Sequence, residues 1–155
     1  MPTARLKDNR FRREAQPRRR TAAAGVVELQ DEEPSQLVRL VRAGLPFHRL
    51  ARFQKTAGLP WEETARWIGI PLRTLTRRHH QGRLRWDESD RLVRAARLFA
   101  KAVDLFEGDA EAARRWLRAP QSALGGEPPL ELASTDIGSR QVEDLITQLE
   151  HGVFP

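Results

Sequence analysis

Six side chains within a nine-residue span, Arg73, Thr74, Thr76, Arg77, His80 and Gln81, have the chemistry of a reader of nucleic-acid edges. Arginine offers a planar fork that matches the O6 and N7 acceptors of guanine, glutamine can pair with adenine, and threonine reaches either a base or a phosphate. With roughly 100° allotted to each helical residue, Arg73, Thr76, Arg77 and His80 share one side, with Thr74 and Gln81 on its shoulder. Leu72, Leu75 and His79 fall opposite and are expected to pack. A basic helix face that does nothing but stay solvated has the same pattern, so the flanking elements have to decide between the two readings.

Those elements favour the reader. Gly69-Ile70-Pro71 is a tight turn, with a residue suited to the left-handed conformation and another suited to the first turn of a helix. It joins a predicted helix over Trp61 to Ile68 to the donor-bearing helix over Leu72 to Gln81, which together form a helix-turn-helix. Two helices precede the pair. One opens at Pro34-Ser35, carries Leu37, Val38, Leu40 and Val41, and ends at Gly44; the other spans Pro46 to Thr56 with Phe47, Leu50, Ala51 and Phe53 inward. Trp61, Ala65 and Ile68 form the inner stripe of the first motif helix. Trp61 and Trp67 are read as core, because duplex edges need no stacking platform.

Downstream, Asp87 is expected to cap a long helix over Glu88 to Glu107, with Asp90 in the capping-box position. Its stripe of Leu92, Ala95, Ala96, Phe99, Ala102, Val103 and Phe106 is widened by Val93, Leu98 and Leu105, which predicts cover on two sides by its own domain or by a second copy. Asp109 caps a short helix to about Ala119 with Ala112, Ala113, Trp116 and Leu117 inward. A docked turn follows at Leu130 to Ala133. Ser139 is expected to cap a last helix carrying Val142, Leu145, Ile146 and Leu149, which Gly152 ends. The expected class is all-α, with residues 1–33 a disordered basic arm, 34–86 the helix-turn-helix region and 87–155 a second helical region.

Charge divides along the same lines. The net charge is +6 over residues 1–20, −4 over 21–34, +9 over 35–86 and −5 over 87–155. A polyanion suits the basic blocks, and the acidic C-terminal half points to a different partner. The arm either tracks phosphates or is a solvated tail. The chain has no cysteine, and His48, His79, His80 and His151 have no ligand spacing, so no metal and no cofactor are expected. Glu62-Glu63, Asp87-Glu88 and Glu143-Asp144 are adjacent carboxylates on different sides of helices, and Gly125-Gly126 lacks the context of a phosphate loop. An enzyme is therefore not expected. Ala22 to Val27 is too short to cross a bilayer, which places the chain in the cytoplasm with no membrane partner.

From about Phe53 to the C-terminus the sequence resembles the Xre/MbcA/ParS antitoxins of type II toxin-antitoxin systems. The likeness lies in RTLTRR (Arg73 to Arg78), DRLVRAARLFAKAVDLFEGD (Asp90 to Asp109), AARRWLRAPQSALGG (Ala112 to Gly126) and PPLELASTDIGSRQVEDLITQLEHGVF (Pro128 to Phe154). It implies an Xre-like helix-turn-helix bundle followed by a small helical domain for dimerisation and toxin binding. It also implies a homodimer on operator duplex DNA and a RES-type, NAD-consuming toxin whose active site the C-terminal region occludes. On this basis Trp116, Leu124, Leu145, Leu149, His151, Gly152, Val153 and Phe154 are the toxin-binding candidates. The Arg-rich arm lies outside the shared pattern. Two other readings remain: a stand-alone transcription regulator and a nucleoid or partition protein binding DNA with little sequence preference.

Overall fold

The longest apolar stripe in the sequence becomes the centre of the molecule. In the computed structural model, which describes Leu29 and residues 32–154, eight α-helices are present and no strand is found among the described residues. They are α1 (Pro34–Ala43), α2 (Phe47–Ala57), α3 (Trp61–Ile68), α4 (Leu72–Gln81), α5 (Trp86–Leu105), α6 (Ala110–Arg118), α7 (Pro129–Leu132) and α8 (Asp136–Glu150), with a 3₁₀ turn at Ser122–Leu124.

Helix α5 is buried almost all round: Leu92, Val93, Ala95, Ala96, Leu98, Phe99, Ala100, Ala102 and Val103 are each under a tenth exposed. Helices α1, α2 and α3 of the N-terminal half and α6 and α8 of the C-terminal half all pack against it. Both halves of the chain thus share a core around one helix. Phe53 marks the join, meeting Phe99 edge-on at a centroid distance of 6.3 Å and Trp67 at 5.6 Å. Burying a phenylalanine contributes about 1.5–3 kcal/mol, and each ring pair adds about 0.5–1.5 kcal/mol.

The widened face of α5 is covered, as expected, and by the same chain. Three expectations are corrected. Helix α5 begins at Trp86, before the expected Asp87 cap, because Glu88 reaches back and accepts from the Arg85 N–H at 2.8 Å; it ends at Leu105, short of Glu107, whose φ is 55°. Helix α8 begins three residues ahead of Ser139: Thr135 is its cap, its Oγ1 accepting from the Gly138 N–H at 3.0 Å, and Ser139 is buried inside the helix. A Cβ on Gly138 would collide with the Leu132 carbonyl, which is why the α7–α8 corner takes glycine there. Finally, most of the expected disordered arm lies outside the described residues, but Leu29 is 1% exposed within the core and Glu32 lies 3.8 Å from Arg49, so the folded region reaches into the stretch assigned to the arm.

Candidate functional site

Helix α4 is gripped at both ends. Its N-terminus leaves Pro71 directly after the Gly69 turn, where φ is 63° and the Gly69 N–H donates to the Arg66 carbonyl; Arg91 on α5 donates to the Gly69 carbonyl at 3.1 Å. At the C-terminal end, Gly82 adopts φ 74°, its N–H donating to the carbonyls of Arg78 and His79. The strand-like segment beyond is tied to the α1–α2 corner: the Phe47 N–H donates to the Gly82 carbonyl at 2.9 Å and the Leu84 N–H to the Leu45 carbonyl at 2.9 Å. The result is a short helix in a fixed position.

Its inward side differs from the apolar pattern. Leu75 and Arg78 are buried, whereas Leu72 is 46% exposed and His79 is exposed. At 100° per residue the buried arc lies roughly 60° away from the one that Leu72, Leu75 and His79 imply. The cause is an ion pair that the sequence reading missed. Arg78 Nε lies 2.7 Å from Glu88 Oε2, with both side chains under a tenth exposed, and this pair rather than a leucine fixes the face of α4 that meets α5. His79 instead rests its ring against Phe47 at 5.0 Å, at the rim. The hydrogen bond with Glu88 raises the affinity of the Arg78 guanidinium for its proton. Burial pushes the Glu88 carboxyl up, but the bonds from Arg78 and from the Arg85 N–H outweigh it, and the group is held below the usual range. The only signal available in the sequence is that Arg78 projects away from Arg73 and Arg77.

The outward side matches the sequence reading. Arg73, Thr74, Thr76, Arg77, His80 and Gln81 line one open concavity of about 570 Å³. Thr74 is half-buried and the other five are exposed. Thr76 returns its hydroxyl to the Leu72 carbonyl at 3.2 Å, which leaves an oxygen acceptor and a methyl group outward. Two arginines, a histidine and an amide on one rigid face give directed donors for a phosphate or a base edge. Leu72 adds an apolar surface at the start of the helix, the chemistry that meets a thymine methyl.

The C-terminal candidates separate into a packed set and an exposed set. Leu145 is 5% exposed, Trp116 is half-buried against Phe106 at 6.2 Å, and Leu124 and Leu149 are also half-buried, so these four hold the fold before they offer any surface. His151 to Phe154 form the exposed end. His151 Nδ1 lies 2.7 Å from the Thr147 carbonyl, Gly152 turns the chain at φ 71°, and the Val153 N–H donates to the Gln148 carbonyl at 2.9 Å. That turn sets the exit direction of Val153 and Phe154, which are 57% and 81% exposed. Between the two sites, Arg118 on α6 holds Glu63 on α3 through two bonds at 2.9 and 3.1 Å, and Arg114 donates to the Ala57 carbonyl at 2.6 Å.

Among the described residues, no group of three His, Asp or Glu side chains is placed to hold a metal ion, and no helix is long and apolar enough to cross a membrane. Two family models match the chain. Residues 36–97 match the antitoxin Xre-like helix-turn-helix domain, and residues 101–152 match the antitoxin Xre/MbcA/ParS C-terminal toxin-binding domain. Among curated proteins, the chain is similar to an antitoxin Xre of Yersinia enterocolitica, 41% identical over 76% of this chain and 80% of that one. It is also similar to an antitoxin Xre of Photorhabdus laumondii, 33% identical over 74% and 78%, and to one of Pseudomonas putida, 42% identical over 54% and 52%.

Proposed function

The chain belongs to the Xre/MbcA/ParS antitoxin family, and we propose that its C-terminal end neutralises a RES-type, NAD-consuming toxin by occluding the active site while α4 represses the operon through its operator. The observation that carries the first part is the pairing of a fixed turn with exposed apolar side chains. Val153 and Phe154 leave α8 in a set direction, and apolar side chains whose direction is already set bind with less loss of freedom. The acidic charge of residues 87–155 complements a basic nucleotide pocket. Trp116, Leu124, Leu145 and Leu149 support that end from beneath, and His151 and Gly152 shape it. This is occlusion of a site, with no reaction performed by the antitoxin itself.

The second part rests on the donor face. Arg73, Thr74, Thr76, Arg77, His80 and Gln81 stand together on a helix held at both ends, the arrangement that major-groove reading requires. We assign a homodimer on a two-fold operator, acting in the cytoplasm. The exposed Trp86 (60%) and Val38 (48%) are the apolar side chains that a second copy would cover. Coexpression of the chain with the product of the adjacent reading frame tests the toxin assignment. Growth and cellular NAD should both recover when the antitoxin is induced; a neighbouring frame whose product leaves NAD unchanged would overturn the RES assignment.

A further inference from the structure

The amide of Gln81 is not free to choose its orientation. Arg78 Nη1 lies 2.8 Å from Gln81 Oε1, and a guanidinium only donates, so the oxygen must be the atom that faces it. Arg78 is itself immobilised, because its Nε donates to Glu88 Oε2 at 2.7 Å and that same oxygen accepts the Arg85 N–H at 2.8 Å at the start of α5. A buried ion pair built into two helices thus ends on the amide oxygen of a surface residue. Among the described residues Gln81 Nε2 has no protein partner, and Gln81 lines the same concavity as Arg73 and Arg77.

Reading adenine takes both halves of a glutamine amide, the oxygen accepting from N6–H and the nitrogen donating to N7. Here Arg78 holds one of the oxygen's two lone pairs and turns the oxygen toward a buried side chain, so that Nε2 is the outward atom of the amide. We propose that Gln81 meets DNA through its amide nitrogen, oriented by Arg78 and Glu88, and therefore donates to an acceptor, a purine N7, a guanine O6, a thymine O4 or a phosphate oxygen, in preference to the two-sided edge of adenine. Arg78 and Glu88 are positioning residues in this scheme. They touch no DNA, but they decide which chemical group Gln81 presents.

The inference rests on the reading of α4 as the DNA-contacting helix, so the experiment scores the two separately. Binding is measured at fixed salt on a duplex from the promoter region upstream of the chain's own reading frame, for wild type, Arg73→Ala, Gln81→Ala and Gln81→Glu. Unchanged binding by Arg73→Ala would sink the α4 reading itself. Given a loss there, Gln81→Glu keeps an oxygen toward Arg78 but replaces the donor with a carboxylate, and binding should fall about tenfold or more, further than in Gln81→Ala. Equal binding by wild type and Gln81→Glu overturns the inference.

Modified duplexes identify the acceptor. A loss that disappears in Gln81→Ala should appear with a 7-deazapurine if the contact is to N7, with 2-aminopurine in place of guanine if it is to O6, with 4-deoxythymine if it is to O4, or with a neutral methylphosphonate if it is to the backbone. Replacing adenines by purine, which lacks the N6 amino group, should cost wild type no more than it costs Gln81→Ala. A Gln81-dependent loss on purine, or no such loss with any of the base or phosphate modifications, overturns the inference. Releasing the amide in an Arg78→Met, Glu88→Gln double variant should raise tolerance for adenine at the contacted position, a shift in preference that simple destabilisation would not produce.

Discussion

Gln81 and Phe154 each stand exposed close to a helix end where a glycine turns left-handed, Gly82 at φ 74° and Gly152 at φ 71°, yet the chain beyond the two glycines behaves differently. After Gly82 it is captured at once: the Gly82 carbonyl accepts from the Phe47 N–H, the Leu84 N–H donates to the Leu45 carbonyl, and Arg83 donates to the Gly44 carbonyl at 2.9 Å. After Gly152, among the described residues, it makes a single backbone bond, from the Val153 N–H, and then presents Phe154 to solvent. On the proposed reading α4 has to hold its donors in register before it meets DNA, and it is fastened at both ends. On the proposed reading the exposed end fills a partner's apolar space, and its direction alone needs setting. Rigidity is placed where geometry carries information and is relaxed where area does.

Loss of the Arg78–Glu88 pair should have the largest effect. Glu88→Ala leaves a buried guanidinium unpaired, and breaking such a pair costs about 3–5 kcal/mol of stability, readable by urea denaturation. Operator binding should fall with it. Acid probes the same contact. Because the Glu88 carboxyl is held below its usual value in the fold, its contribution is present at neutral pH and is lost as the pH falls through that lowered value. A denaturation series from neutral to acid should show a component of the decline that Glu88→Gln lacks.

Next in size is the tip. Phe154→Ala should weaken toxin inhibition by about 2 kcal/mol or more if the side chain is a buried anchor in the complex, with the thermal midpoint unchanged. Smaller effects are expected on the DNA side, where Arg73→Ala and Arg77→Ala should each cost about 1–3 kcal/mol of operator affinity at fixed salt and leave inhibition intact. Smallest is the base of α8: Thr135→Ala removes the cap on the Gly138 N–H and should cost about 1 kcal/mol of stability while operator affinity is retained. Loss of both activities from a single surface variant, Phe154→Ala or Arg73→Ala, would break the comparison between the two regions.

The helices were readable from the sequence because their signals are local. Gly44, Gly58, Gly69 and Gly82 end four successive helices, and buried residues recur at helical spacing within a helix, as Leu50 and Phe53 do in α2 and Val142, Leu145 and Ile146 in α8. The donor face was readable for the same reason, since six polar residues on one helix need no tertiary knowledge. The inner face of α4 was not: a pattern of apolar residues points to Leu72 and His79, whereas a buried Arg78 is decided by Glu88, ten residues away on another helix. The starts of α5 and α8 were misplaced by the same kind of effect. Asp87 and Ser139 are good caps by type, but Glu88 reaching back to Arg85 and Thr135 receiving the Gly138 N–H set the first turns earlier. At the C-terminal end, sequence cannot separate Leu145, which is packed away, from Phe154, which is not.

The most direct test of the account pairs two titrations on the chain lacking Gly152 to Pro155: inhibition of NAD consumption by the partner toxin, and binding to the operator duplex. The account predicts inhibition at least thirtyfold weaker than wild type, about 2 kcal/mol or more, with operator affinity and thermal midpoint unchanged. Inhibition at full strength by the truncated chain would contradict it.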